Sequence, residues 1–283
     1  MQETPVVLIF GQGYSGRVLA DDLRARGWTV RGTHRGAADP AAGLWTFDAE
    51  HRLPPEAFEG VTHVLDSIPP AGDGDPLPLA VHRAELAALP GLRWAGYLST
   101  TGVYGNTDGA WVDEESPLAP GSARGARRVA AERAWLESGL PGHVFRLAGI
   151  YGPGRSAIDS LEAGTARRIV KPGQVFCRIH VADIARVVAA SMERPSPGTV
   201  YNVCDDLPAP PQEVIAHAAH LLGVEPPPEE PLESANLSPM AMSFYADNRR
   251  VSNRRIKEEL GVTLAHPDYR SGLAAQLAAR TAG

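Results

Sequence analysis

The sequence predicts an α/β fold: a doubly wound parallel sheet with a smaller C-terminal lobe. Two observations predict it. Short apolar runs alternate with helix-patterned segments along the first two thirds of the chain. The runs are almost continuously apolar, as strands buried on both faces must be.

Residues 5–10 form a β-branched and apolar run, the first strand. Residues 14–26 carry helical spacing through Val18, Leu19 and Leu23, and Gly27 follows as a C-terminal cap. Residues 28–33 read as the second strand. Further runs at 44–47, 63–68, 94–98 and 143–147 read as buried strands. Helices are expected over 77–89 and 123–138, and over 181–192, where Val181, Ile184, Ala185, Val188 and Met192 share one face. Beyond residue 156 the pattern loosens to a strand around Ile179, another at 199–203 and a helix over 211–222. The Pro- and Glu-rich stretch 225–239 reads as an exposed loop, because proline cannot feed a helix or a central ladder. The C-terminal region is expected to end in a helix over 253–260 closed by Gly261. Residues 1–155, rejoined by 179–204, make the large domain. Residues 156–178 and 205–283 make the smaller, substrate-binding lobe.

With 283 residues, 43% hydrophobic and 21% charged, the composition is globular. The net charge is −6 and the 27 basic residues are scattered, so no cationic stripe marks a nucleic-acid partner. The leading residues lack a basic n-region, and no run approaches the roughly 20 apolar residues that span a bilayer. A cytoplasmic protein with no membrane partner is expected. Cys177 and Cys204 permit at most one disulfide and give no metal-ligand spacing, so no metal is expected. Both read as small buried hydrophobes in a reducing compartment.

Gly11-Gln12-Gly13-Tyr14-Ser15-Gly16 matches GxGxxG and falls between the first strand and the first helix. Gly11 permits the tight turn, Gly13 lets a pyrophosphate approach the backbone, and Gly16 allows close helix packing. The helix N-terminus offers free amides and a positive dipole end to phosphates. Such a turn in this context implies a Rossmann-type, dinucleotide-binding fold.

The second strand ends in Arg31-Gly32-Thr33-His34-Arg35, without the carboxylate that binds the ribose hydroxyls of NAD. His34 and Arg35 are therefore candidate contacts, with Arg35 able to pair with a 2′-phosphate. NADP is preferred on this reading and NAD remains possible, since Arg35 also reads as a solvated surface charge. Asp48 is a candidate acceptor for the adenine amino group, or else a turn carboxylate.

Ser99-Thr100-Thr101-Gly102-Val103-Tyr104-Gly105 resembles the extended and atypical branches of the short-chain dehydrogenase/reductase superfamily, the NAD(P)-dependent epimerase/dehydratase group. Phe47-Asp48-Ala49, 146–154 (RLAGIYGPG), 179–183 (IHVAD) and Tyr201-Asn202-Val203 resemble it too, in the family's order and across nearly the whole chain. The resemblance implies cofactor contacts at Tyr14, Ser15, Ala49, Ser67, Ile68, Ser99 and Leu147 as well. It also implies a homodimer through sheet-flanking helices.

In that family a hydroxyl at the place of Thr100 hydrogen-bonds the reacting oxygen, where it can donate and accept as charge develops. Thr100 also suits a turn. The family's general acid is a tyrosine four residues before a lysine on the helix that runs here over 123–138. Counting back from Glu132, those places hold Arg124 and Arg128, and no Tyr-x-x-x-Lys occurs in the chain. Guanidinium stays protonated and cannot deliver a proton as a phenol does, although Arg128 can still bind the cofactor ribose. A proton donor must then come from elsewhere, with Tyr104 the first candidate and Tyr151 the second, both at C-terminal ends of strands. The arginine that meets nucleotide phosphates in sugar-nucleotide members is replaced by Phe176, with Arg178 closer to His180. A nucleotide-sugar substrate is thereby disfavoured. His180 itself reads as a hydrogen-bonded core histidine, and His217 and His220 as structural.

Two functions remain. One is an oxidoreductase, or an epimerase or dehydratase, that moves hydride between NADP(H) and a small carbonyl or hydroxyl substrate. The other is a catalytically inactive dinucleotide-binding sensor or scaffold.

Overall fold

The computed structural model of the protein describes residues 4–72 and 75–281. Along the chain run β1 (Val6–Phe10), α1 (Tyr14–Ala25), β2 (Thr29–His34), β3 (Leu44–Thr46), β4 (His63–Asp66), α2 (Leu77–Ala87) and β5 (Trp94–Thr100). Then come β6 (Trp111–Val112), α3 (Ala123–Leu136), β7 (Gly142–Leu147), β8 (Gly149–Tyr151), α4 (Ala157–Glu162), β9 (Arg168–Val170), β10 (Arg178–His180) and α5 (Val181–Glu193). The chain continues through β11 (Val200–Val203), α6 (Pro211–Leu222), β12 (Glu229–Pro231), α7 (Pro239–Ala246), β13 (Arg250–Val251), α8 (Arg254–Glu258) and α9 (Tyr269–Thr281).

Seven strands form one sheet in the order β11-β7-β5-β4-β1-β2-β3, and every neighbouring pair is parallel. Strand order reverses between β1 and β4, so the crevice outside their C-terminal ends is where such sheets take ligands. β1 shows why its run is continuously apolar. Val7 and Ile9 enter the core shared with α1 and α5, while Leu8 and Phe10 enter the opposite core with Leu79, Leu86 and Trp135. The period of two puts successive side chains on opposite faces, and both faces are covered.

A third and smaller core joins Ile158, Ala209, Val214, Ala218, Tyr269 and Leu273 beneath α4, α6 and α9. The segment around α8 does not belong to it. Val251, Ile256, Leu260, Val262 and Leu264 pack into the larger core instead. Among the described residues no helix is long and apolar enough to cross a membrane.

Three expectations about this region need correction. The chain does not finish with the helix near 253–260, because α9 follows it. Its buried face carries Tyr269, Gly272, Leu273 and Gln276, a stripe too mixed in polarity to stand out in the sequence. The stretch 225–239 is not all loop, because Glu229–Pro231 pairs in parallel with β9. Glu229 and Glu230 are tied there by ion pairs to Arg168 and Arg167, and Pro231 sits at the strand end, where its missing N–H matters least. Helix α7 was also absent from the expected order.

Candidate active site

The glycine turn sits at the switch point, and each glycine has a distinct surrounding. Gly11 has φ +82°, and a Cβ there would lie 2.9 Å from Ile68 Cγ1 and 3.2 Å from Ser67 Oγ. Its amide donates to Thr33 Oγ1 at 2.9 Å, and its carbonyl accepts from Ser67 Oγ at 2.5 Å. Gly16 is packed tightly, since a Cβ would meet the Gly11 carbonyl at 3.0 Å. Gly13 is the opposite: a Cβ there would meet nothing within 4 Å. It is also the N-cap of α1 and offers no side-chain cap, so the first-turn amides of Tyr14, Ser15 and Gly16 face that open space. The crevice therefore fits a pyrophosphate held by backbone amides and the helix dipole. Ser67 and Ile68 close its β4 side, with the Ile68 amide already donating to Asp66 Oδ1 at 2.9 Å.

At the end of β2, His34 Nε2 lies 2.9 Å from the Ala37 carbonyl oxygen, and its ring covers Gly36. Arg35 is exposed, and among the described residues it forms no ion pair. Asp48 behaves as a turn carboxylate. Its Oδ1 accepts from the Glu50 and His51 amides, both at 2.9 Å, and from His51 Nδ1 at 2.8 Å, which together hold the carboxyl below its usual range. Ala49 is exposed beside it.

Two residues escaped the sequence reading here. Gln12 packs its side chain against Gly32, and its buried Nε2 has no hydrogen-bond partner. Arg155 stands over the ring of Tyr14, whose hydroxyl donates to the Pro153 carbonyl at 3.1 Å. That contact brings a cation from the loop after β8 to the N-terminus of α1. A basic residue in a Gly-rich loop was the only signal.

At the C-terminal end of β5, Thr100 caps the short turn Thr101–Tyr104, with Oγ1 accepting from the Gly102 amide at 3.1 Å. The turn role and the chemical role are compatible, because accepting one bond leaves the hydroxyl proton free to donate. Arg249 reaches the same spot from the far end of the chain. Its Nη2 lies 4.0 Å from the place where a Gly102 Cβ would stand, and Thr100 Oγ1 lies 3.5 Å from that place. Arg249 Nη1 is anchored by the Gly105 carbonyl at 2.7 Å and by Asp247 Oδ2 at 3.0 Å. Gly105 itself has φ +68°, and a Cβ there would fall 1.9 Å from the Ala119 carbonyl oxygen.

The other residues named for this region turn inward. Ser99 is buried and donates to Glu132 Oε1 at 2.5 Å. Glu132 pairs with Arg146 at 2.9 Å, with both side chains buried. Arg146 in turn donates to the Tyr104 hydroxyl at 2.8 Å, and that hydroxyl donates to Asn202 Oδ1 at 2.8 Å. Tyr104 is 1% exposed, and burial pushes its phenol up to about 12. The structure thus places Tyr104 within the protein and away from open space. Tyr151 is buried as well and donates to the Asp268 carbonyl at 3.2 Å. Arg128 is buried, giving Nη1 to Tyr97 Oη at 2.9 Å and to the Leu98 carbonyl at 2.7 Å. Arg124, one turn earlier on α3, is exposed. Leu147 ends β7 in register with Thr100 on one side and Val203 on the other.

His180 caps α5, accepting from the Ala182 amide at 3.2 Å, and its ring lies 4.0 Å from that of His266. Burial, together with His266, pulls its pKa down to about 4. His217 packs edge-on against Tyr269. Cys204 is fully buried and Cys177 half-buried, both as free thiols.

No protein-family profile matches the chain. A curated relative, the 3-diazoavenalumate denitrifying reductase of a Streptomyces species, is 30% identical over 94% of this chain and 98% of its own length. Among solved structures, a conserved protein of unknown function from Silicibacter pomeroyi is 53% identical over 98% of this chain and 99% of its own, with a TM-score of 0.89. Two more distant structures share the fold. The dTDP-glucose 4,6-dehydratase of Bacillus anthracis, solved with NAD, is 16% identical with a TM-score of 0.77, over 99% of this chain and 97% of its own. The human epimerase family protein SDR39U1, solved with NADPH, is 19% identical with a TM-score of 0.72, over 96% and 98%.

Proposed function

The chain belongs to the short-chain dehydrogenase/reductase superfamily, in its epimerase/dehydratase-like branch, and on that footing we propose that it is an NADPH-dependent reductase of a small substrate whose reduction needs no protein phenol as acid. The observation that carries this reading is that Thr100 Oγ1 and Arg249 Nη2 both lie within 4.0 Å of the point where a Gly102 Cβ would stand. A hydroxyl with a free proton and a fixed guanidinium together stabilise negative charge on an oxygen without transferring a proton.

When bound, the dinucleotide supplies hydride to the acceptor carbon. The residues of the chain orient the partners and hold charge. First-turn amides of α1 would hold the pyrophosphate, Arg35 would pair with the 2′-phosphate, and Arg155 would add positive potential over Tyr14. Thr100 would donate to the acceptor oxygen, Arg249, its Nη1 committed to Asp247 and Gly105, would offer Nη2 from the same side, and the proton would come from solvent. The reductase named among the relatives supports this direction of reaction.

A second reading, a cofactor-reporting protein without turnover, is favoured by Arg128. The side chain in the lysine's place spends its Nη1 on Tyr97 and Leu98. NADPH consumption with a panel of ketones, aldehydes and activated alkenes decides between the two. Turnover with at least one acceptor supports the reductase. Tight NADPH binding with no turnover on any acceptor favours the reporter.

A further inference from the structure

A cavity of about 570 Å³ lies in the smaller lobe between α4, α6 and α9, bordered by the loop that carries Arg155. The volume falls in the range of small-molecule sites. Its walls are mostly apolar, with Val214, Ile215, Leu273 and the rings of Tyr151 and Tyr269. Three arginines and one carboxylate also line it, and their partners differ.

Arg167 is neutralised by Glu230 in a two-pronged pair. Asp159 is committed to Ser156, Gln276 and Arg280. Arg178 has no such partner. Its Nη1 is held by the carbonyls of Phe176 at 2.9 Å and Ala209 at 3.0 Å, and among the described residues no carboxylate lies within 4 Å of it. The acid with the largest influence on it, Asp205, lies beyond that distance, and burial pushes its carboxyl up to about 8 while Arg178 opposes that rise. A guanidinium held mainly by carbonyls, with no carboxylate in direct contact, gains from a ligand anion that reaches it. Arg155, exposed at the rim and without an ion pair among the described residues, adds a second positive charge on the side nearest Tyr14.

We propose that this cavity binds a small organic acid, with the carboxylate on Arg178 and an apolar body between Tyr151, Tyr269 and the α6 side chains. Planar guanidinium matches a carboxylate, and the apolar part of the wall suits an apolar body attached to it. That acid being the substrate rests on the reductase reading; the site itself does not.

Calorimetric titration of the full chain tests the assignment with cinnamate, its neutral amide and inorganic phosphate, each with and without NADPH. Cinnamate should bind at least about tenfold more tightly than the amide. Arg178→Gln should abolish that preference while NADPH affinity holds. Equal binding of acid and amide, or a preference that survives Arg178→Gln, overturns the proposal. Phosphate binding as tight as cinnamate with the same Arg178 dependence overturns the organic-acid class. Because Arg178 also holds two carbonyls, Ile215→Trp provides an independent arm that fills the cavity and leaves Arg178 in place. Unchanged cinnamate affinity in that variant overturns the site. Cinnamate binding without NADPH binding would defeat the reductase reading and leave this one standing.

Discussion

Arg146 donates to the Tyr104 hydroxyl at 2.8 Å, and that hydroxyl donates in turn to Asn202 Oδ1 at 2.8 Å. A phenol engaged on both sides and sealed from solvent anchors the ends of β5, β7 and β11 to one another. Tyr104→Phe should therefore cost about 1–3 kcal/mol in denaturant unfolding, the desolvation cost of the polar partners left behind. Its kcat should stay close to that of the wild type. A large fall in kcat at unchanged stability would make Tyr104 a catalytic acid after all.

At the glycine turn, Gly13→Leu should abolish dinucleotide binding and leave the thermal midpoint nearly unchanged. The new side chain meets no protein atom within 4 Å of its Cβ, only the place of the pyrophosphate. Gly16→Leu should instead lower the midpoint, since its Cβ meets the Gly11 carbonyl at 3.0 Å. Calorimetric titration with NADPH, alongside melting curves, separates the two effects.

For cofactor choice, Arg35→Ala should weaken NADPH binding by about 1.5–3 kcal/mol and NADH binding hardly at all, because only NADPH offers a 2′-phosphate for a charge-assisted bond. Equal losses for both cofactors would show that Arg35 does not read the phosphate.

Thr100→Ala should lower kcat by about 100- to 1,000-fold with little change in NADPH affinity, as expected for one lost donor to a developing oxyanion. Thr100→Ser, which keeps the hydroxyl, should recover most of the rate. Full activity in Thr100→Ala would detach the chemistry from this turn.

His180 gives the protein an acid limb. Its pKa is about 4 when folded against 6.5 as a free side chain, so between those values the unfolded chain binds more protons. Its contribution is complete above about pH 6.5 and is lost as the pH falls through about 4. Protonation would also cost the Ala182 bond and place a cation beside His266 at the start of α5. His180→Asn, which can still cap the helix, should flatten stability across that window in denaturant titrations at several pH values.

The first strand, the glycine turn and α1 were legible because their signals are local and agree with one another. Arg249 was not, since nothing in Arg249-Arg250-Val251 points to a partner some 150 residues earlier. The pairing of β13 with β6, together with the bonds of Asn248 to Asn106, Thr107 and Gly109, carries it to Gly102 and Gly105. Tyr104 was misleading for the same reason in reverse. Its place at the C-terminal end of a strand made it the first candidate proton donor, but the tight turn begun by Thr100 swings the ring into the core. The pair at Arg124 and Arg128 shows a third case: sequence spacing set both on α3 but could not tell that one is exposed and the other tied to β5.

The smaller lobe rests on its own cluster of six buried residues, apart from the two cores that clamp the sheet. Local opening there breaks few apolar contacts, so amide hydrogens of α6 and α9 should exchange well before those of β1, β4 and β5. Such opening would leave the strands that flank Gly13 and Thr100 in place.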